Sequence, residues 1–336
     1  MKHANVAIFV PHNGCPHCCS FCNQVRITGK QSQPSSEDVI KAAETAINSK
    51  NYNPVFSEIA FFGGSFTAIK REYMVSLLEA AYEYIKSGKF KGIRLSTRPD
   101  CIDDDVLQIL KSYGVTSIEL GAQSMCNDVL KSNMRGHNAE DVEKSSVLIK
   151  KYGFELGLQM MTGLYKSTIK KDIYTAQKIC RLKPKTVRIY PTIIMQDTVL
   201  ADYYNRGVYK TYTLEETVDL CAELLTMFEK NNIDVIRLGL HSTQDIANGM
   251  VAGPWHPSLG ELCFSRVYRN NIEDYIIKNN LPKGDYTVIV NNKEISKALG
   301  QKRSNYNYFK EKGYNLKFIS GSINKGEFIF SSDIVE

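Results

Sequence analysis

Short runs of β-branched and aromatic residues alternate with longer stretches of helical apolar spacing through most of the chain. The runs that read as strands are Asn5–Val10, Glu58–Phe62, Ile93–Ser96, Ser117–Leu120, Phe154–Gln159 and Val187–Tyr190. Between them, Ser36–Asn48, Arg71–Ser87, Asp103–Tyr113, Ala139–Tyr152 and Lys170–Arg181 carry apolar residues at helical intervals. The pattern predicts an α/β fold of about six βα units, a partial (β/α)6 TIM-like barrel. Six units are too few to close an eight-stranded barrel, but functional loops would still gather at the carboxyl ends of the strands. A further helix, Thr213–Asn231, leads to the short run Asp234–Leu238, which closes the barrel domain at about residue 240. The stretch from His241 to Leu259, with Gly249, Gly253, Pro254 and Pro257, has little periodicity, and residues 241–280 are expected to cross over and cover part of the barrel. From residue 281 the texture changes to a small β-α-α-β unit. Its strand is Tyr286–Val290, its helices are Lys293–Leu299 and Asn305–Lys312 around a turn Gly300–Arg303, and its second strand is Asn315–Ile319.

A chain of 336 residues that is 43% hydrophobic can bury a substantial core. No apolar run approaches the roughly 18 residues that span a bilayer, and Met1–Val10 lacks the regions of a signal peptide. A cytoplasmic protein with no membrane partner is therefore expected. The formal charge of +6 is compatible with a polyanionic partner but does not require one. Of nine cysteines, four crowd into Cys15–Cys22, which points to metal rather than disulfides.

That segment follows the first strand and contains Cys15-x3-Cys19-x2-Cys22. Three thiolates hold three irons of a four-iron cubane and leave the fourth open to a ligand, whereas a cluster that only carries electrons usually has a fourth cysteine. The alternative is structural zinc on Cys15, Cys18, Cys19 and Cys22, with His12 and His17 nearby. Adjacent Cys18 and Cys19 point apart in most loops, and structural zinc sites draw their pairs from separated segments, so the cluster is preferred and Cys18 is a packed thiol. This spacing, with Phe21 before the last cysteine, resembles the signature of the radical S-adenosylmethionine (SAM) superfamily. The resemblance implies a 4Fe-4S cluster on Cys15, Cys19 and Cys22. It also implies S-adenosylmethionine chelating the open iron, and an electron donor such as flavodoxin or ferredoxin.

After the second strand comes Gly63-Gly64-Ser65-Phe66-Thr67, where paired glycines let backbone approach a ligand closely. In the superfamily this turn receives the methionine amino group. Ser96-Thr-Arg98-Pro-Asp100, Glu119-Leu-Gly121-Ala-Gln123-Ser, Arg135-Gly-His137, Arg188-Ile-Tyr190-Pro-Thr192 and Asp197–Tyr212 resemble the radical domain of the Elongator catalytic subunit, which modifies wobble uridine in tRNA. The likeness covers roughly residues 5 to 240. A more distant likeness to oxygen-independent coproporphyrinogen dehydrogenase suggests that Gln123, Arg135 and Gln159 line the nucleoside and carboxylate pocket, a role their donor groups suit. Ser96 stands where those relatives carry Glu, so that carboxylate role is expected to pass to Arg98 or Glu119; Tyr190 completes the expected cofactor set. No acetyltransferase domain follows within this chain, so acetyl transfer is not expected.

The terminal β-α-α-β order resembles the RNA-binding KH module, whose Gly-x-x-Gly loop clamps phosphates. Here Arg303 replaces the second glycine, and Gly300, Lys302 and Arg303 are the expected RNA contacts. The resemblances imply a radical enzyme on RNA, with tRNA as the expected partner. The alternatives are an enzyme on a small-molecule or tetrapyrrole-like substrate, or a cluster-bearing RNA-binding protein without turnover.

Overall fold

In the computed structural model, which describes residues 4–11, 19–23, 32–240 and 248–332, the alternation becomes one seven-stranded parallel sheet. Its order is β1 (Ala4–Val10), β2 (Ser57–Gly63), β3 (Gly92–Thr97), β4 (Val115–Gln123), β5 (Glu155–Thr162), β6 (Thr186–Pro191) and β8 (Asp234–Leu238). The intervening β7 (Ile194–Met195) instead pairs antiparallel with β9 (Met250–Ala252). The six expected strands are all present, and Asp234–Leu238 joins them as a seventh beside β6.

Side chains alternate across each strand. Ile59, Phe61, Ile93, Leu95, Ile118, Leu120, Leu156, Leu158, Val187 and Ile189 are all at most 2% exposed. The helices contribute Leu77, Leu78, Leu107, Leu110, Val142, Ile149, Ala176 and Ile179, also buried, to the core between sheet and helices. Each such Leu, Ile, Val or Phe removed from water contributes about 1.5–3 kcal/mol. The helices start where the sequence supplies caps. Ser35 with Asp38 and Asn138 with Asp141 form capping boxes for Ser36–Ile47 and Ala139–Lys151, while Asp103 and Thr168 cap Asp104–Ser112 and Ile169–Leu182.

The opposite face is polar. Arg94 on β3 reaches Glu58 on β2, Glu119 on β4 and Glu155 on β5, and Arg188 on β6 reaches Glu119 two strands away. Strands two apart are separated by about 9.6 Å in a flat sheet, a span that the long Arg and Glu side chains cross on this face. The sheet is a half-barrel with polar residues inside.

Two compact units divide the chain: residues 1–212 with 228–254, and residues 213–227 with 255–336. This division differs from the expected boundaries. The stretch read as aperiodic contains β9, and the rest of the segment expected to cross over is mostly a 20-residue helix, Leu259–Lys278, which belongs to the second unit. Its buried stripe (Leu259, Cys263, Arg266, Ile272, Ile276) includes an arginine held by Glu215 and Asp219, so its apolar spacing is weak. In that unit β10 (Gly284–Asn291) pairs in parallel with β11 (Tyr314–Gly321) and antiparallel with β12 (Phe328–Ser331), a strand not read from the sequence. Parallel pairing needs a crossover, which the helices Ile295–Leu299 and Ser304–Glu311 supply. Tyr268, Ile272, Ile276, Val288, Val290 and Phe309 form the core beneath.

Candidate active site at the strand ends

The cysteine segment leaves β1 at Val10. Cys15 and Cys18 lie outside the described residues, so the choice between three and four thiolates is not made there; among the described residues no three potential ligands meet. Cys19 is buried, and the Cys22 N–H donates to the Cys19 carbonyl at 3.1 Å, closing a tight turn between them. Ser20 anchors this turn. Its N–H donates to the Asn133 carbonyl at 3.0 Å, its hydroxyl donates to Asn133 Oδ1 at 2.9 Å, and its carbonyl accepts from the Leu200 N–H at 2.8 Å. Asn133 in turn donates to the carbonyls of Val129 and Tyr165. Neither Ser20 nor Asn133 was singled out from the sequence, because a pair 113 residues apart leaves no local pattern. Phe21, expected at the cofactor, packs against the cluster formed by Ile194, Leu200, Ala201 and Tyr209.

The glycine turn follows β2. Gly63 has φ +112°, and a side chain there would lie 2.9 Å from the Val10 carbonyl, while the Gly64 N–H donates to that same oxygen at 2.8 Å. The close approach that requires Gly63 is thus to β1. Ser65 and Thr67 both bond the Thr97 hydroxyl, at 2.9 and 2.6 Å, and Phe66 stacks on Phe61 with ring centroids 4.5 Å apart. The two hydroxyls tie the loop after β2 to the end of β3, while Phe66 packs the loop back on β2.

Two tiers of polar residues occupy the concave face. In the lower one, Glu119 is 1% exposed and accepts from Arg188 at 2.6 and 2.9 Å, from Arg94 at 3.4 Å and from Gln159 at 3.0 Å. Gln159 also donates to Ser96 at 3.1 Å. Burial works against the Arg94 charge, but Glu58 and Glu119 outweigh it and hold the guanidinium protonated beyond its ordinary range. Arg188 is held likewise by Glu119, and its guanidinium stacks over Phe62 at 4.9 Å. Burial pushes the Tyr190 phenol up, against the lowering effect of Arg188. Both oxygens of Glu119, one of the two residues expected to take over the missing carboxylate role, are engaged by the two arginines and Gln159.

In the upper tier, Arg98 grips Asp100 with a two-pronged bond of 2.9 and 2.8 Å, and donates to the Arg135 carbonyl at 2.7 Å. Burial would raise the Asp100 carboxyl, but Arg98 holds it below the usual range. Arg135 donates to the Gly121 carbonyl at 2.7 Å and to Cys19 Sγ at 3.4 Å. Gln123 is held at φ +65°, where the β4–β5 register shifts. His137 approaches the Ala122 carbonyl through Nε2 at 3.2 Å, and burial, with Arg135 beside it, drives its pKa down to about 3. The ring is therefore neutral at pH 7, with Nδ1 an acceptor. Four buried atoms here have no partner among the described residues: Arg98 Nη1 and Arg135 Nε as donors, Gln123 Oε1 and His137 Nδ1 as acceptors. Orphaned buried polar atoms are costly, and four at one rim suit a ligand with both anionic and donor groups, as an amino-acid head has.

The terminal turn has a different character. Gly300 is buried at φ +78°, and a side chain there would meet Ser304, Ser265 and the Asn305 backbone, so it shapes the turn rather than facing solvent. Lys302 and Arg303 are exposed in left-handed conformations at φ 52° and 60°, and Arg303 lies over the Tyr306 ring at 4.4 Å.

Comparison with known proteins adds to this geometry. The Radical SAM superfamily model matches residues 9–178, and the Radical_SAM C-terminal domain model matches 184–269. The chain is 28% identical over 237 residues to the tRNA uridine(34) acetyltransferase of Methanocaldococcus jannaschii, covering 64% of this chain and 43% of that protein. It is 30% identical over 190 residues to Elongator complex protein 3 of Homo sapiens, covering 51% and 35%. The match thus spans less than half the length of these relatives. The solved structure of the archaeal Methanocaldococcus infernus Elp3 shares the fold, with a TM-score of 0.62 at 22% identity, over 84% of this chain and 64% of that one. No helix among the described residues is long and apolar enough to cross a membrane.

Proposed function

The chain belongs to the radical SAM superfamily, and from that premise we propose that Cys15, Cys19 and Cys22 hold a 4Fe-4S cluster at which S-adenosylmethionine is reductively cleaved, with RNA, and specifically tRNA, as substrate. When bound, the cluster supplies the electron that splits the sulfonium into methionine and a 5′-deoxyadenosyl radical. The observation that carries this reading is the convergence of Cys19 with Arg98, Gln123, Arg135 and His137, whose unpartnered atoms form a polar rim at the ends of β3 and β4. These residues bind and orient the amino-acid head. Gln159 and Ser96, bonded to one another beneath that rim, present hydroxyl and amide groups toward a nucleoside. The apolar packing of Phe21 and Tyr209 beside the cysteine turn excludes water from it.

Two relatives are a tRNA uridine(34) acetyltransferase and an Elongator complex protein, and this supports RNA as the substrate class. The exposed cations Lys302 and Arg303, with a tyrosine face beside them, supply the charge and stacking surface that single-stranded RNA uses. The test is anaerobic reconstitution followed by dithionite reduction. Wild type is expected to yield 5′-deoxyadenosine and Cys19→Ala none; a chain with a four-iron spectrum that releases no 5′-deoxyadenosine sinks the chemistry. For the substrate, Lys302→Ala/Arg303→Ala should make the salt dependence of bulk tRNA binding shallower by about 1.4–1.8 units. Unchanged affinity and slope would turn the reading to a small-molecule substrate.

A further inference from the structure

We infer that Arg135 is a positioning residue aimed at the sulfur of Cys19, where it raises the reduction potential of the cluster; this rests on the cluster reading above. The arginine is locked at both its backbone and its head. Its carbonyl accepts from Arg98 at 2.7 Å, and Arg98 is itself clamped on Asp100. Its Nη2 donates to the Gly121 carbonyl at 2.7 Å, which leaves Nη1 directed at Cys19 Sγ, 3.4 Å away. Gly121 permits this approach, because a side chain there would lie 2.7 Å from Arg135 Nη2. A guanidinium is planar and does not lose its proton, so the geometry fixes a full positive charge and an N–H donor on one thiolate.

That thiolate is 8% exposed, so the interaction is weakly screened. Arg98 adds a second positive field at the same sulfur. Reduction adds one negative charge to a cluster, and hydrogen bonds and net charge at its sulfurs set its potential. A cation held on Cys19 therefore favours the reduced form over the oxidised one. The carboxylate-binding role expected of Arg135 from the sequence would leave the potential of the cluster without S-adenosylmethionine unaffected, and this separates the two.

The experiment is an anaerobic redox titration of the reconstituted full chain without S-adenosylmethionine, followed by electron paramagnetic resonance. Arg135→Gln is expected to shift the one-electron equilibrium toward the oxidised form by about tenfold, or about 59 mV. Arg135→Lys, which keeps the charge but not the directed N–H, and Gly121→Ala, which displaces the guanidinium without changing charge, are expected to shift it less in the same direction. Lys178→Gln, which removes a cation paired with Glu143 on the helix surface, should leave it unchanged. If Arg135→Gln does not assemble a cluster, the Lys and Gly121→Ala variants decide: a lowered potential supports the inference and a wild-type value overturns it. Loss of S-adenosylmethionine affinity in Arg135→Gln at a wild-type potential also overturns it. A wild type without a four-iron spectrum fails at the cluster reading itself.

Discussion

The concave face of the half-barrel has a floor, made of Glu58, Arg94, Glu119, Glu155 and Arg188, and a rim, made of Arg98, Gln123, Arg135 and His137. Both are polar and buried or partly buried, yet they treat hydrogen-bonding capacity in opposite ways. On the floor, three carboxylates meet two guanidiniums, and Glu119 is engaged from three sides. At the rim, each of the four side chains keeps one atom without a partner among the described residues. Saturated charge stiffens the curvature of the sheet, while unsatisfied capacity is what a ligand can use. Buried polarity alone does not mark a site; the orphaned atoms do.

The sharpest way to break this comparison is to cut the floor. Glu119→Ala leaves Arg188 and Arg94 facing a void, and removing one member of a buried ion pair costs about 3–5 kcal/mol. Equilibrium denaturation should show a loss of that size. Gln123→Ala at the rim removes an amide whose oxygen already lacks a partner and should cost under about 1 kcal/mol. Equal losses would dissolve the distinction between the tiers.

Two glycines sharpen it. Gly157 on β5 faces the floor, where an added Cβ would lie 2.8 Å from Glu119 Cγ and 2.9 Å from Thr186 Oγ1. Gly121 on β4 faces the rim, where the obstacles are the ends of the Arg135 and Gln123 side chains at 2.7 and 2.9 Å. Overpacking against a pinned stem costs about 1–3 kcal/mol, so Gly157→Ala should lower the denaturation midpoint and spare cofactor affinity per folded molecule. Gly121→Ala meets only side-chain ends, which can shift at the expense of their hydrogen bonds, so it should cost less stability than Gly157→Ala and weaken S-adenosylmethionine binding by about tenfold, or ~1.4 kcal/mol. Calorimetric titration beside the melts reads both, and the reverse assignment would reject the tiers.

Much of this was legible in the chain. The alternation in Val187–Tyr190 or Ile93–Ser96 reflects one apolar and one polar face, and it placed these two strands to within a residue at each end. The rim motifs at Arg98, Gln123, Arg135 and His137 were also readable, because a resemblance preserves residues that converge. What the sequence hides is pairing. Nothing local says that Arg94 meets Glu58, 36 positions away, or that Gly63 passes so close to the Val10 carbonyl. The helix Leu259–Lys278 was hidden for a related reason, since its buried Arg266 breaks the apolar stripe and is neutralised by acids from a distant segment.

The smallest expected effect belongs to His137 and separates the rim from ordinary buried structure by its pH response. Its imidazole is neutral in the fold because burial first, and Arg135 second, drive the pKa from 6.5 to about 3, while Asp100 opposes and Arg98 assists. The unfolded chain thus takes up a proton near pH 6.5 that the folded chain refuses until about pH 3. The stability linked to this group is fully present above pH 6.5 and is lost as pH falls toward 3. Between pH 6.5 and 5.5 the loss is about 1 kcal/mol. Asp172, which burial raises to about 6, acts with the opposite sign over part of that range, so wild type alone would blur the effect. His137→Gln keeps a donor for the Ala122 carbonyl, carries no titrating ring and leaves Asp172 untouched. The difference between wild type and His137→Gln should therefore shift by about 1 kcal/mol against wild type over that pH unit. Parallel stability curves would mean that His137 accepts its proton in the folded state, and the neutral acceptor at the rim would have to be abandoned.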